Sequence, residues 1–286
     1  MKNILGLPAK RRIFFDGAMG TELQKRGLNQ DPAILNLSNP EAIIEIHREY
    51  LAAGADILTA NTFGAYSHKY DNAADMITSA VSHGRAALEG YAGKRLALDL
   101  GPTGLMLEPY GDTTEDECYK IFEGAVKVGT ACGVDLVLIE TMMDLVELKL
   151  AVTAAKEVAL PVFATMTFDK NGRTMMGATL EDMATMLEGL GVDALGMNCG
   201  FGPDVYVQLA AKLAGITKLP VMVQPNAGMP LPAEPDPARQ GEFLPARYSL
   251  TADDFAGAMS SMKATILGGC CGTSPDHIVA LTRHFQ

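Results

Sequence analysis

Three cysteines carry the most chemistry in this sequence. Two are adjacent, Cys270 and Cys271 in ILGGCCGTSP (residues 266–275), framed by Gly268, Gly269 and Gly272. The third, Cys199, stands in GMNCGFGP. Neighbouring Cα atoms lie about 3.8 Å apart, short of the roughly 4.4–6.8 Å a disulfide prefers, so a bridge between Cys270 and Cys271 would be strained. Simple packing is a common fate of buried thiols. A third possibility is a metal. Glycines let two successive side chains leave the strand alternation and turn to one side. Three thiolates then suit zinc, with a fourth tetrahedral position left open, which is the pattern of a catalytic rather than a structural site. There is no CxxC pair to decide among these readings.

Carboxylates offer a second chemistry. Asp16 and Glu140 stand where apolar runs end. There they could exchange protons, hold a substrate ammonium, or be ordinary polar strand ends. The turn Gly17-Ala18-Met19-Gly20-Thr21 opens a helix, and its N–H groups suit a carboxylate. A carboxylate-binding turn beside an ammonium-binding acid describes an amino-acid site. Cys118 and Cys132 share one amphipathic segment and read as packing residues. Of the five histidines, only His68 follows an apolar run closely enough to draw notice.

These residues need elements to position them, and the chain is regular enough to supply them. Eight β-branched or apolar runs recur, at 12–17, 55–63, 95–104, 135–142, 161–168, 194–200, 220–228 and 264–272. Helical spacing separates them. In NPEAIIEIHREYLAAGAD, Asn39 or Ser38 suits the cap, Pro40 the first turn, and Ile43, Ile46, Tyr50 and Leu51 one face. TTEDECYKIFEGAVKVGTACGVD opens with acids that favour the helix dipole. Strand-then-helix repeated eight times predicts an α/β fold, a single (β/α)8 TIM-type barrel over residues 1–286. An open doubly wound sheet is the alternative, but no Gly-x-Gly-x-x-Gly follows the first run. In a barrel all the carboxyl ends of the strands meet on one rim. Cys199, Cys270 and Cys271 would meet there and could surround one zinc ion, beside Asp16, Asn61, Asp99, Glu140, Asn198 and Asn226. One segment breaks the rhythm: residues 228–250 hold five prolines, either as a surface insertion or as a lid or docking loop.

Composition closes off other classes. A net charge of −11 and no basic run leave no footprint for nucleic acid. No stretch of about 18 apolar residues predicts a membrane span. The N-terminus lacks the features of a secretory signal, and an odd cysteine count suggests no disulfide framework. A reducing, cytoplasmic setting is expected.

The blocks DGAMGTELQKRG, ANTFGA, GPTG, IETMMDLVELKLA, GMNCGFGP, QPNAGMP and GGCCGTSPDHI, in this order, resemble the homocysteine S-methyltransferase family. Within it they look most like the homocysteine-binding module of cobalamin-dependent methionine synthases. The resemblance runs from about residue 12 to the C-terminus. It implies a zinc barrel that methylates the sulfur of homocysteine to give methionine, with Cys199, Cys270 and Cys271 as zinc ligands. It also puts Asp16, Gly17 and Glu140 on homocysteine-binding positions, with Asn198 beside the metal and counted among the substrate-binding residues. The implied methyl donor is methylcobalamin on a separate corrinoid protein. Stand-alone use of S-methylmethionine or S-adenosylmethionine is the alternative, as is a non-catalytic zinc- or thiol-binding barrel. Where the betaine-using branch has a tyrosine, this chain has Gly64, with Tyr66 displaced by two. The segment from Phe255 to Gly268 is about one helical turn shorter than the family pattern.

Overall fold

The computed structural model describes residues 12–235 and 244–285. Part of the proline-rich segment, 236–243, lies outside the described residues. Each of the eight apolar runs contains a strand: β1 (Ile13–Phe14), β2 (Ile57–Thr59), β3 (Arg95–Leu100), β4 (Leu136–Met142), β5 (Val162–Met166), β6 (Ala194–Asn198), β7 (Val221–Gln224) and β8 (Ile266–Leu267). All pair in parallel, in the order β1-β8-β7-β6-β5-β4-β3-β2. A single parallel bridge, Phe15 to Ile57, closes the remaining seam between β1 and β2. The result is the expected TIM-type barrel. Most strands are shorter than their apolar runs because the runs continue past the last ladder bond into the rim; β4 extends to the end of its run at Met142.

Ten helices are described: α1 (Gly20–Lys25), α2 (Pro32–Ser38), α3 (Pro40–Ala52), α4 (Ala73–Leu88), α5 (Glu115–Ala131), α6 (Leu145–Lys156), α7 (Leu180–Leu190), α8 (Pro203–Ile216), α9 (Ala252–Met259) and α10 (Pro275–His284). The first βα connection holds three of them. Asp31 caps α2 by accepting from the Ala33 amide at 2.9 Å. Asn39 does occupy the N-cap position of α3 but makes no side-chain cap. Its amide oxygen instead accepts from the Ser38 hydroxyl at 2.8 Å. α5 and α7 start with complete capping boxes, Thr114 with Glu117 and Thr179 with Asp182. α9 has only eight residues. Even so, Phe255 meets the His277 ring of α10 edge-on at 5.5 Å, so the short final unit packs.

Two apolar cores result. One lies between strands and helices and holds Leu58, Leu98, Val137, Ile139, Phe122 and Leu148 among others. The other fills the barrel: Ile13, Phe15, Ile57, Ala97, Leu136, Leu138, Phe163, Ala194, Met222 and Ile266. Among the described residues, no helix is long and apolar enough to cross a membrane.

Candidate metal centre

Side chains along a strand alternate between faces, so the residue two beyond an inward one also faces inward. Two positions past the apolar filling, the barrel turns polar: Thr59 after Ile57, Asp99 after Ala97, Glu140 after Leu138, Thr165 after Phe163, Gln224 after Met222. This layer is the floor of a pocket at the carboxyl ends of the strands. The three cysteines stand at its edge.

Cys199 follows β6 in the left-handed region, at φ 57°, and Gly200 stays there at 65°. A cysteine with positive φ is uncommon and strained, and here it is held on three sides. Its amide donates to the Gln224 carbonyl at 3.0 Å, and its carbonyl accepts from the Tyr206 hydroxyl and the Phe201 amide, both at 2.7 Å. That conformation turns the thiol off the strand path. Cys270 and Cys271 leave β8 in another way. The Cys270 amide donates to Pro225 at 2.8 Å, and the Cys271 carbonyl accepts from Ala227 at 3.0 Å, so the pair is pinned to the segment after β7. Gly272, at φ 81°, ends the turn, and a Cβ there would lie 2.2 Å from the Tyr248 ring.

The result brings the three sulfurs together. Cys271 Sγ is 3.9 Å from Cys270 Sγ and 4.0 Å from Cys199 Sγ. All three lie within 4.8 Å of one another, the one group of potential metal ligands among the described residues. All five cysteines are free, which removes the disulfide reading. Sulfurs held tetrahedrally at about 2.3 Å from zinc stand about 3.8 Å apart, so the spacing and the soft donor set both fit that ion. Hydrogen bonds from the Cys199 and Cys270 thiols push Cys271 down to about 3. The same contacts, with burial, push Cys270 well up. Cys118 is buried in the outer core, and Cys132 touches Thr78 instead.

The expected carboxylates are in the pocket. Asp16 accepts from the Thr59 amide at 2.7 Å and the Thr59 hydroxyl at 2.8 Å. Burial outweighs these bonds and pushes its carboxyl up to about 7. Glu140 is pushed up to about 8 by burial, then by the charges of Asp16 and Cys271. Asn198, fully buried, holds Glu140 in place. Its amide donates to Glu140 Oε2 at 3.2 Å and to Thr141 Oγ1 at 2.8 Å. Its carbonyl accepts from the Thr141 amide and the Thr165 hydroxyl, both at 2.8 Å. Those bonds fill the whole capacity of the amide and hold Thr141 at φ 63°. Gly17 lies against Tyr50 and Thr273, with no room for a Cβ. One N–H of the following turn, that of Ala18, is already donated to Thr273 Oγ1 at 3.2 Å.

Several residues of the pocket had no role in the sequence reading. Gln224 Oε1 and Asn226 Oδ1 are buried without a hydrogen-bond partner. Tyr248 comes from the proline-rich segment, whose limbs fold back as a ribbon. Leu231 donates to Arg247 at 2.8 Å, Ser249 to Met229 at 3.0 Å, and Pro230 bridges Tyr248. Tyr248 stands beside Cys271, and burial and the neighbouring thiols push its hydroxyl up. No motif marks Tyr248, whereas Gln224 and Asn226 stand in the QPNAGMP block. His68 is elsewhere, stacked on Tyr66 and 3.0 Å from the Thr103 carbonyl. Tyr66 is itself buried, donating to Gly101 at 2.5 Å. A cavity of about 360 Å³ between the ribbon and Gln24 and Asn29 lies outside the pocket.

A family model for homocysteine S-methyltransferases matches residues 13–285. The chain belongs to the homocysteine S-methyltransferase family. It is 33% identical to the methionine synthase of Mycobacterium tuberculosis over 301 residues, covering 96% of this chain and 25% of that protein. The Mycobacterium leprae methionine synthase gives 33%, with 96% and 24% covered. The chain thus spans about a quarter of the length of these relatives. Among solved structures it resembles the homocysteine methyltransferase MmuM of Escherichia coli. The apo form aligns at TM-score 0.74 and 26% identity, and the metallated form at 0.78 and 24%, each covering 96% of both chains. Like the oxidized form, at 0.80 and 24%, the metallated form supports the fold.

Proposed function

We propose that this chain binds zinc through Cys199, Cys270 and Cys271 and methylates the sulfur of homocysteine to give methionine. The observation that carries the reading is three free sulfurs at zinc spacing, beside carboxylates that no cation among the described residues offsets. Zinc held there supplies the positive charge that keeps a coordinated substrate thiol deprotonated near neutral pH.

The chain's own residues do the rest by position. Asp16 and Glu140 receive the substrate ammonium, and the turn from Gly17 faces its carboxylate. Asn198 acts through Glu140, fixing its carboxyl from below. Cys199, Cys270 and Cys271 would hold the zinc that takes the sulfur at the pocket edge, where a donor reaches it from outside the barrel. The sulfur lone pair forms the new S–C bond, the methyl group leaves its donor's bond behind, and the thiol proton has already gone to solvent. No carboxylate need move a proton, so Asp16 and Glu140 orient. The resemblance of the sequence blocks to cobalamin-dependent methionine synthases supports a corrinoid-borne methyl group, and Gly64 with a buried Tyr66 argues against betaine.

A donor panel tests this. Zinc-loaded protein is incubated with homocysteine and, in turn, methylcobalamin, S-methylmethionine and S-adenosylmethionine, and methionine is measured. Methionine from methylcobalamin is the expected result. Turnover confined to a small sulfonium donor would overturn the donor assignment, and stoichiometric zinc without methionine from any donor would favour a non-catalytic barrel.

A further inference from the structure

The pocket floor has too many acceptors for the donors the protein gives it. Asp16 and Asp99 are 3% and 5% exposed, and Glu140 stands in the same layer. Among the described residues, none of the three carboxylates has a lysine, arginine or histidine within ion-pair distance. Asp16 at least holds Thr59, and Glu140 holds Asn198. Asp99 holds nothing. Its backbone is fixed, the amide donating to Thr62 Oγ1 at 3.0 Å and the carbonyl accepting from that hydroxyl at 2.8 Å. Its Oδ1 is buried with no partner, and Gln224 Oε1, in the same inward layer, has none either.

A buried carboxylate that serves only the fold is normally paired, since an unpaired one costs stability. An apolar side chain would serve a packing role at lower cost, as Ala97 does two residues earlier on the same strand. What the floor lacks is a ligand that brings positive charge and several N–H donors. A primary ammonium has both. Burial and the charges of Glu140 and Asp16 push the Asp99 carboxyl well up, so without a ligand a proton stands in for the missing cation.

We infer that Asp99 is a third carboxylate of the pocket that receives the substrate's ammonium group, and that it sets the site's preference for an amino-thiol over a thiol lacking the amine. The inference rests on the proposed homocysteine site and adds a residue that discriminates among its substrates.

Calorimetric binding to the zinc-loaded full chain tests it, with L-homocysteine and with 4-mercaptobutyrate, which keeps the thiol, chain and carboxylate but has no amine. Asp99→Asn is expected to weaken homocysteine by about tenfold or more, the scale of losing a charged partner. It should leave 4-mercaptobutyrate within about twofold and zinc content unchanged. The ligand-free variant should melt close to the wild type, because an amide replaces a carboxyl that without a ligand already carries its proton. Unchanged homocysteine affinity overturns the role of Asp99 and leaves the homocysteine reading standing. Equal weakening of both thiols overturns the discrimination. A variant that melts lower or fails to fold contradicts the premise that Asp99 is unpaired. Wild-type protein that binds neither thiol overturns both readings.

Discussion

Two inward layers of the barrel sit two residues apart on the same strands, and they are built on opposite terms. The lower, from Ile13 through Phe163 to Ile266, is wholly apolar and nearly free of solvent contact. Each of its side chains is satisfied by its neighbours. The upper layer and its rim hold Asp16, Asp99, Glu140, Gln224 and three thiols, and the protein satisfies these only in part. A fold that could fill the upper layer with apolar side chains has spent it on groups that need a cation. Stability should therefore reside below and ligand affinity above, and variants can separate the two.

The largest effect belongs to the metal. Cys271→Ser is expected to weaken zinc binding by more than about a hundredfold, beyond the range of losing an outer partner. The metal-free fold should be little changed. Metal analysis after dialysis against a chelator checks it, and equal zinc in the wild type and the variant would end the ligand assignment. Phe163→Ala is the mirror case. It removes a ring 6.2 Å from Phe15 in the lower layer and should cost about 3–5 kcal/mol in denaturant unfolding. The folded fraction should bind zinc as before. A zinc affinity that falls with it would mean the layers are coupled.

The layers also differ in how legible they were. Short apolar or β-branched runs separated by helical spacing marked all eight strands, and with them the lower layer. The cysteines stood out because their residue type is rare and chemically specific. Alternation also locates Asp99 and Gln224, but an acid at a strand end looks like any polar strand end until its partners can be counted. Tyr248 was beyond reach. Its place depends on how a proline-rich segment of 23 residues folds back, and that is set by long-range bonds such as Leu231 to Arg247. The left-handed backbones of Cys199 and Thr141 were equally hidden, since neither residue type asks for positive φ.

Tyr248 offers a smaller, sharper test of the rim. Its hydroxyl interacts electrostatically with Cys271 and its ring covers Gly272. Tyr248→Phe keeps the ring and removes the hydroxyl beside Cys271, so zinc affinity should fall by about tenfold, as for other partners of metal ligands. Chelator competition reads this without turnover. An unchanged affinity would reduce Tyr248 to a wall of the pocket.

The smallest effect concerns protons on the upper layer. Asp16 is pushed from 3.8 to about 7 in the fold, chiefly by burial. Between those values the unfolded chain has lost this proton and the folded protein keeps it. Folding then takes up a proton, so the group's contribution falls as pH rises through that window. Below it both states are protonated and the group is neutral to stability, and above it the full cost of a buried charge is in place. Glu140 and Asp99, which face Asp16 across the pocket, are also raised and add slopes of the same sign. Asp16→Asn removes one slope while keeping both contacts to Thr59, because the Thr59 hydroxyl can accept from the new amide as readily as it donated to the acid. Urea unfolding of the metal-free protein at pH 5.5 and 6.5 should therefore show a flatter dependence in the variant, by at most about 1.4 kcal/mol per pH unit. The lower layer has no titratable group, so Phe163→Ala should shift the whole curve down without changing its slope. Equal slopes in wild type and Asp16→Asn would mean the folded protein already carries Asp16 ionised, and the upper layer would be less short of positive charge than its geometry indicates.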